Sequence, residues 1–186
     1  MHDQELPTMG LRGSYRDVLY DEAGRVTGDT GWQKNTIVLD CRRLLAAFMN
    51  TEGNTSGIQG MLVGKGDPSW DLNPSGPPPA VPSGVITDPL PYLVPPGSLA
   101  LSYIVPGTIN TPSPQNTPTN VLQIVATLGV NQPPWPHLPD HADGTLREFG
   151  LVAQLTGNQV LVNLVHHVAI PKDSQNTLVR TIQLVF

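Results

Sequence analysis

The chain has 186 residues, of which 39% are hydrophobic and only 13% are charged. That length predicts a single domain over residues 1–186, and the net charge of −5 without a basic run argues against nucleic acid as a partner. The apolar runs are too short to cross a membrane, the first ten residues lack the features of a signal peptide, and the single cysteine excludes an internal disulfide.

The N-terminal third predicts an arm, a hairpin and one helix. Residues 1–11 are expected to form an extended arm, and residues 14–20 and 25–27 to pair around a turn. Residues 35–49 predict the helix, with Asn35 or Thr36 as the N-cap. Its apolar side chains recur at helical spacing and predict a buried stripe: Cys41, Leu44, Leu45, Ala47 and Phe48.

A proline-rich insertion follows the next predicted strand, residues 58–64. The insertion covers residues 68–97, and ten prolines lie between Pro68 and Pro96. Proline lacks an N–H and fixes φ, so this stretch cannot be a central strand. Its apolar residues predict an ordered excursion with polyproline II character rather than a free linker.

The remainder predicts further strands separated by turns, at residues 98–105, 120–128, 145–154, 159–170 and 177–186. In the strand at 159–170, alternation predicts that His166 lies on the apolar face and that His167 faces solvent or a neighbour. The fold class is therefore mainly β. We expect an antiparallel β-sandwich with one α-helix and long Pro-rich loops.

The segment from His137 to Asp143 is the most ligand-rich stretch, and His137 and His141 are weak candidates for metal ligands. Pro136 and Pro139 exclude a helix that would bring the two imidazoles onto one face, so a polar surface loop is the preferred interpretation. No nucleophile elbow, zinc-protease or nucleotide-binding motif occurs. The sequence predicts no enzyme activity, no cofactor and no bound metal.

Three aromatic residues are candidates for a subunit interface. Trp70 and Trp135 lie in predicted loops, where they either pack locally or anchor a subunit contact. A chain whose last strand ends on Phe186 predicts that this strand lies at a sheet edge or in a seam, where a neighbouring chain can add to it.

Two groups of motifs resemble small β-rich structural proteins of tailed bacteriophages. The first is Leu146-Arg147-Glu148-Phe149-Gly150-Leu151, a hairpin, a strand ending in Ile170-Pro171-Lys172, and a terminal strand that closes on Phe186. The second runs from Asn35-Thr36-Ile37-Val38 through Leu44-Leu45 to Ile58-Gln59-Gly60-Met61-Leu62-Val63-Gly64-Lys65-Gly66 and looks like their helix followed by a glycine-rich strand. Together the motifs cover about half of the chain, and the proline-rich excursion departs from the family pattern. The family forms tail fibres, collars and baseplates, and similar proteins occur in phage-derived contractile injection machines.

The resemblance implies a structural component of a phage tail that acts by assembly. It implies a homo-oligomer, found in the virion tail and assembled in the cytoplasm of the host bacterium, with its own copies and other tail or capsid proteins as partners. Three alternatives stay open. They are a capsid decoration protein, a carbohydrate-binding β-sandwich that uses its tryptophans, and a small hydrolase or metal enzyme that uses His137, His141 and nearby aspartates.

Overall fold

The computed structural model describes residues 10–105, 114–115, 117–136, 141 and 144–186, with side chains for all but 114–115. This part of the chain is mainly β and contains one α-helix, α1 (Leu39–Met49), with short 3₁₀ turns at Pro68–Leu72 and Pro96–Ser98. The strands are β1 (Arg12–Tyr20), β2 (Val26–Asp29), β3 (Gln33–Ile37), β4 (Ser56–Gly64), β5 (Tyr92–Val94), β6 (Leu99–Ile104), β7 (Pro114–Gln115), β8 (Val121–Leu128), β9 (Thr145–Leu155), β10 (Asn158–Leu161), β11 (Asn163–Pro171) and β12 (Thr177–Val185). No helix among the described residues has the length and apolarity needed to cross a bilayer.

The strands form one antiparallel sheet that is nearly closed into a barrel. Its order is β5-β4-β9-β11-β3-β1-β12-β8-β6-β7, with β10 beside β9 and β2 beside β1. The chain crosses the open seam directly from β5 to β6 through the turn Pro96–Ser98, which contacts both β4 and β8. Prolines here lack the N–H that would continue a ladder across the seam. The finer prediction of a two-sheet sandwich with long Pro-rich loops is not confirmed.

The last strand lies inside the sheet, which overturns the prediction that it forms an edge or a seam. β12 pairs with β1 over its full length and with β8 on its other side. Alternation along this strand predicts one apolar face with Leu178, Ile182, Leu184 and Phe186. The first three are almost fully buried, whereas Phe186, beyond the end of β12, is 43% exposed. Pairing the two ends of the described chain buries this stripe more completely than an edge position would.

The inner face of the sheet forms one apolar core. The ring of Tyr15 on β1 meets that of Phe149 on β9 edge to face at 5.2 Å, so opposite halves of the sheet contact each other. From α1, Cys41, Leu44 and Ala47 join the buried residues, as the helical spacing predicts. Leu45 is only partly buried, and Phe48, predicted on the same stripe, is 42% exposed.

The helix begins four residues later than predicted. Asn35 belongs to β3, and the N-cap is Val38, without a side-chain capping bond. Neither predicted cap residue is free for that role: the Asn35 amide oxygen accepts a bond from Asn163, and the Thr36 hydroxyl donates to the carbonyl of Ala80. Cross-strand pairing with β1 and β11 therefore outweighs helix propensity here.

The two adjacent histidines face opposite to the prediction. The strand predicted at residues 159–170 divides into β10 and β11, and a bulge lies between His166 and Ile170. The bulge inserts extra residues opposite β9, so His167 and Ile170 both turn inward although they are three positions apart. His167 is 4% exposed, whereas Val168, which simple alternation places on the same face as His166, is 62% exposed.

Candidate functional site

The predicted site residues fall in separate places. Trp135 is 7% exposed and His141 is 3% exposed, so both belong to the interior. Trp70 is half-buried, and Phe186 keeps 43% of its surface exposed beyond the end of β12. His137 lies outside the described residues.

His141 takes part in a buried hydrogen bond with the proline-rich segment. We call residues 67–91, between β4 and β5, the strap. The Nε2–H of His141 donates to Oδ2 of Asp88 in the strap at 2.8 Å, and the indole of Trp135 stacks on the imidazole at 3.9 Å between ring centres. Asp88 also accepts the backbone N–H groups of Lys65 and Leu90, at 2.9 and 3.0 Å. These bonds compensate the carboxylate for its loss of hydration.

A second buried carboxylate holds the same part of the strap from the sheet side. Glu148 on β9 is completely buried, and its two oxygens accept the backbone N–H groups of Thr87 and Asp88 at 2.9 and 2.7 Å. On the neighbouring strand, Gly64 leaves room for this arrangement, because a Cβ there would lie 2.6 Å from Oε1 of Glu148. The Nε2 atom of His166 lies 3.9 Å from Oε2 of Glu148.

Arg147 binds the start of the strap. Its Nη2 and Nε donate to the carboxylate of Asp71 at 2.7 and 3.0 Å, and its Nη1 donates to the Lys65 carbonyl at 3.1 Å. The hydrogen bond from Arg147 lowers the pKa of Asp71. Beside it, Gly66 has a φ of +57°, and a Cβ there would lie 2.6 Å from the Trp70 ring. Glycine is therefore required where the strap leaves β4.

The middle of the strap is held by hydrogen bonds to its backbone carbonyls. The Nδ1–H of His166 donates to the Pro78 carbonyl at 2.9 Å, and the His166 ring packs on Trp70 at 4.4 Å. The N–H of Leu39, at the start of α1, donates to the Pro82 carbonyl at 2.9 Å. With the Thr36 bond to Ala80 described above, the sheet and the start of α1 bind the strap at residues 71, 78, 80, 82, 87 and 88.

Comparison with known proteins finds no family model, no curated protein and no solved structure that matches this chain.

The buried cluster is suited to holding the backbone rather than to reacting with a ligand. Asp88, Glu148 and His141 have almost no surface, and each carboxylate already accepts two or more bonds. Among the described residues, no three His, Cys, Asp or Glu side chains lie close enough together to hold a metal ion. The arrangement fixes the conformation of a segment that otherwise has little regular structure.

A separate polar triad lies in the core below the strap. The guanidinium of Arg180 on β12, fully buried, donates to both carboxylate oxygens of Asp17 on β1 at 2.7 Å, and its Cζ lies 3.8 Å from the centre of the Phe149 ring. The Nη2 of Arg180 also donates to Nε2 of His167 at 3.1 Å, while the Nδ1–H of His167 donates to the Val168 carbonyl at 2.8 Å. The bond from Arg180 requires a neutral imidazole, because Nε2 can accept a hydrogen only when it carries no proton of its own. Burial, together with the positive charge of Arg180, lowers the pKa of His167 to about 4.

The outer side of the strap is apolar and exposed. Four of its large apolar side chains have more than half of their surface accessible: Leu72 (84%), Val85 (73%), Leu90 (56%) and Val81 (54%). Exposed single apolar residues are common, but four on one ordered segment form a candidate contact surface.

Sequence reasoning missed the carboxylates that organise the site. Asp88 was overlooked within the proline-rich insertion, and Glu148 and Arg147 were considered only as parts of a family-like motif. One available signal was that Arg147 and Glu148 lie inside an apolar strand of a chain that has few charges. A charged residue in such a strand is rarely buried unless it is paired.

Proposed function

We propose that this protein is a structural subunit of a bacteriophage tail and acts by assembly with other subunits. The observation that carries the proposal is the strap. The buried Glu148 holds its backbone and the buried Arg147 holds its Asp71 side chain, while its outer side exposes Leu72, Val81, Val85 and Leu90 to solvent.

A segment ordered in advance is well suited to forming a contact surface. Binding by a flexible loop loses conformational entropy when the loop becomes ordered. Prolines and buried hydrogen bonds have already restricted the strap, so an incoming subunit orders little additional chain. Apolar side chains on such a support favour lasting subunit contacts.

The tail assignment rests on the motifs around Glu148 and Gly64, which resemble those of phage tail proteins. The proposed partners are other copies of this chain and other tail or capsid proteins, in a homo-oligomer located in the virion tail. A capsid decoration protein remains the nearest alternative, since it requires the same kind of contact surface. The two-layer β-sandwich stays a prediction. The two halves of the sheet that contact each other through Tyr15 and Phe149 would correspond to its two layers.

Protein mass spectrometry on particles banded in a density gradient tests the proposal. We expect this chain to co-band with tail proteins at a fixed copy number. A Val85→Glu variant should lose incorporation, whereas Val26→Glu should not, because Val26 is similarly exposed but lies outside the strap. Recovery of the chain only in the soluble fraction would refute the proposal.

A carbohydrate-binding function has one specific observation in its favour. Trp70 lines a cavity of about 330 Å³ together with Asp71 and Asn73, and an aromatic ring beside polar groups is typical of ligand sites. The measurement is tryptophan fluorescence during titration with oligosaccharides. A saturable change that disappears in Trp70→Phe would support this function, and no change with any glycan would exclude Trp70 as its site.

A further inference from the structure

The sheet has a gap between β3 and β11. These strands pair at only two positions, Ile37 with Asn163 and Thr36 with Leu164. Both strands are longer than this ladder, yet no further pair joins them within the described part of the chain. Each is held on its other side, β3 by β1 and β11 by β9. The gap therefore lies between two fixed strands.

A cavity of about 360 Å³ occupies this gap. Its floor consists of Tyr15, His167 and Ile170, whose exposures are 5%, 4% and 8%. Its rim includes the exposed Gln33 at the start of β3 and strap residues 75–77. The cavity thus leads from the surface, between the strap and β3, to side chains of the interior.

Tyr15 presents an unused hydrogen-bonding group to this cavity. Its ring packs on Phe149, and its hydroxyl makes no hydrogen bond to any described residue. In that part of the chain, buried polar atoms without a partner occur on Asn35, His166 and Arg180. The Tyr15 hydroxyl is not among them, so it keeps contact with the space of the cavity. Burial raises the pKa of Tyr15 to about 12, so at neutral pH this hydroxyl is protonated and can donate.

The cavity is suited to an uncharged ligand. No carboxylate, ammonium or guanidinium group of the described residues lines it. His167 is neutral, and the nearby charges of Asp17 and Arg180 compensate each other. The Thr30 hydroxyl on the rim already accepts the N–H of Asp17 and donates to the Gly31 carbonyl. A charged ligand would lose hydration here without gaining a counterion.

The size and the lining of the cavity favour an aromatic ligand. Cavities of about 150 Å³ hold benzene, so this one has room for a molecule with one or two rings. Tyr15, His167 and Pro77 offer ring surfaces for packing, and Val168 and Ile170 add apolar contacts. Small-molecule sites typically combine such a lining with a few polar groups that fix the orientation of the ligand. The Tyr15 hydroxyl is such a group.

We propose that the gap between β3 and β11 binds a small uncharged aromatic molecule that carries a hydroxyl group, of the chemical class of the phenols, and that the Tyr15 hydroxyl bonds to that group. The ligand lies between the sheet and strap residues 75–77, so its binding also holds this part of the strap. The site is separate from the surface proposed for subunit assembly, whose four exposed apolar residues do not line it.

Calorimetric titration of the purified chain with p-cresol and with toluene tests the hydrogen bond. The two probes have the same apolar body, and only p-cresol can bond to Tyr15. In Tyr15→Phe, the affinity for p-cresol should fall about 10-fold, because the hydroxyl of the probe loses its partner. The affinity for toluene should not fall. Tyr20→Phe, on the same strand but outside the cavity, should bind both probes as the wild type does.

Nuclear magnetic resonance locates the site and tests its entrance. We expect p-cresol to shift the amide signals of Gln33, Ser75 and Val168, which line the cavity. Gln33→Trp should fill the exposed rim and abolish binding of both probes. Lys34→Trp is the matched control, because Lys34 is equally exposed on β3 but does not line the cavity. Circular dichroism confirms that the variants fold.

Four results would overturn the site. They are no binding of p-cresol up to its solubility, undiminished affinity in Tyr15→Phe, tighter binding of benzoate than of p-cresol, and amide shifts confined to residues outside the lining. Saturable binding that depends on Tyr15 and Gln33 as expected supports the site. Co-banding with particles is measured separately. Co-banding without phenol binding leaves the assembly proposal intact, and phenol binding without co-banding leaves this site intact.

Discussion

Replacing Asp17 by asparagine should cost more stability than almost any other isosteric change in this chain. Asp17 and Arg180 are direct cross-strand partners facing the core, with exposures of 2% and 0%. The change retains volume but removes the charge that compensates the guanidinium. Breaking a buried ion pair in this way typically costs about 3–5 kcal/mol, because the remaining charge stays desolvated.

Here the value should lie toward the upper end of that range. The Nη1 atom of Arg180 is buried without a hydrogen-bond partner. Asp17 is the carboxylate that compensates the guanidinium charge, and it accepts bonds from Nε and Nη2 at 2.7 Å. His167 accepts one bond but carries no negative charge, and the Phe149 ring supplies only a cation–π contact.

The assay is urea unfolding at pH 7, followed by circular dichroism. The variants are Asp17→Asn, the single changes Asp17→Val and Arg180→Met, and the double variant Asp17→Val/Arg180→Met. Replacing both charges by apolar groups is often neutral or stabilising, so the double variant should unfold within about 1 kcal/mol of the wild type or later. Asp40→Asn, in an exposed ion pair, is the matched control and should cost under about 1 kcal/mol. The reasoning is refuted if Asp17→Asn costs no more than this control, or if the double variant loses the sum of the single effects.

Three further outcomes follow from the core, the strap and the sheet. His167 has its ordinary pKa of 6.5 in the unfolded chain and a pKa of about 4 in the folded protein. Between these values the unfolded chain binds the extra proton, so the free energy of unfolding should increase by about 3 kcal/mol as the pH is raised from 4 to 6.5. His167→Gln should flatten that part of the pH profile of urea midpoints, and an unchanged slope would contradict it. In Glu148→Gln, an amide NH₂ replaces one of the two carboxylate oxygens that accept the N–H groups of Thr87 and Asp88. Two donors then face each other, so the free energy of unfolding should decrease by about 1–3 kcal/mol. The amide of Thr87 should then exchange faster with deuterium, and unaltered protection would show that the carboxylate does not hold the strap. In Gly150→Ala the new Cβ would lie 2.6 Å from a backbone oxygen, whereas at Gly57 it meets nothing within 4 Å. The first should destabilise by about 1–3 kcal/mol and the second much less, as measured by thermal unfolding; equal effects would argue against the close approach.

The strand pattern could be predicted from the sequence because alternation is a local property. The stripe through Leu178, Ile182 and Leu184 is buried as predicted, and Cys41 lies on the buried side of α1. The predictions are wrong where contacts with a distant segment of the chain determine the local structure. Asn35 was predicted to cap the helix, yet its pairing with Gly13 keeps it in a strand.

The candidate site was harder to predict than the fold, since its groups come from distant parts of the chain. His141 was identified as a polar ligand-type residue, but its partner Asp88 is 53 positions away, and nothing local links the two. The histidines at 166 and 167 exchange faces because of a bulge, which alternation cannot anticipate.

Composition and periodicity thus determined that this chain forms a mainly β protein with one helix and a proline-rich excursion between two strands. Only the tertiary structure determines that the strands form one sheet in which β12 lies between β1 and β8. It also determines that Glu148 and Arg147 bind the proline-rich excursion as the strap. The physical reason is the range of the interactions. Side-chain alternation acts over a few residues, whereas strand order and the pairing of buried charges depend on which distant groups meet when the core forms.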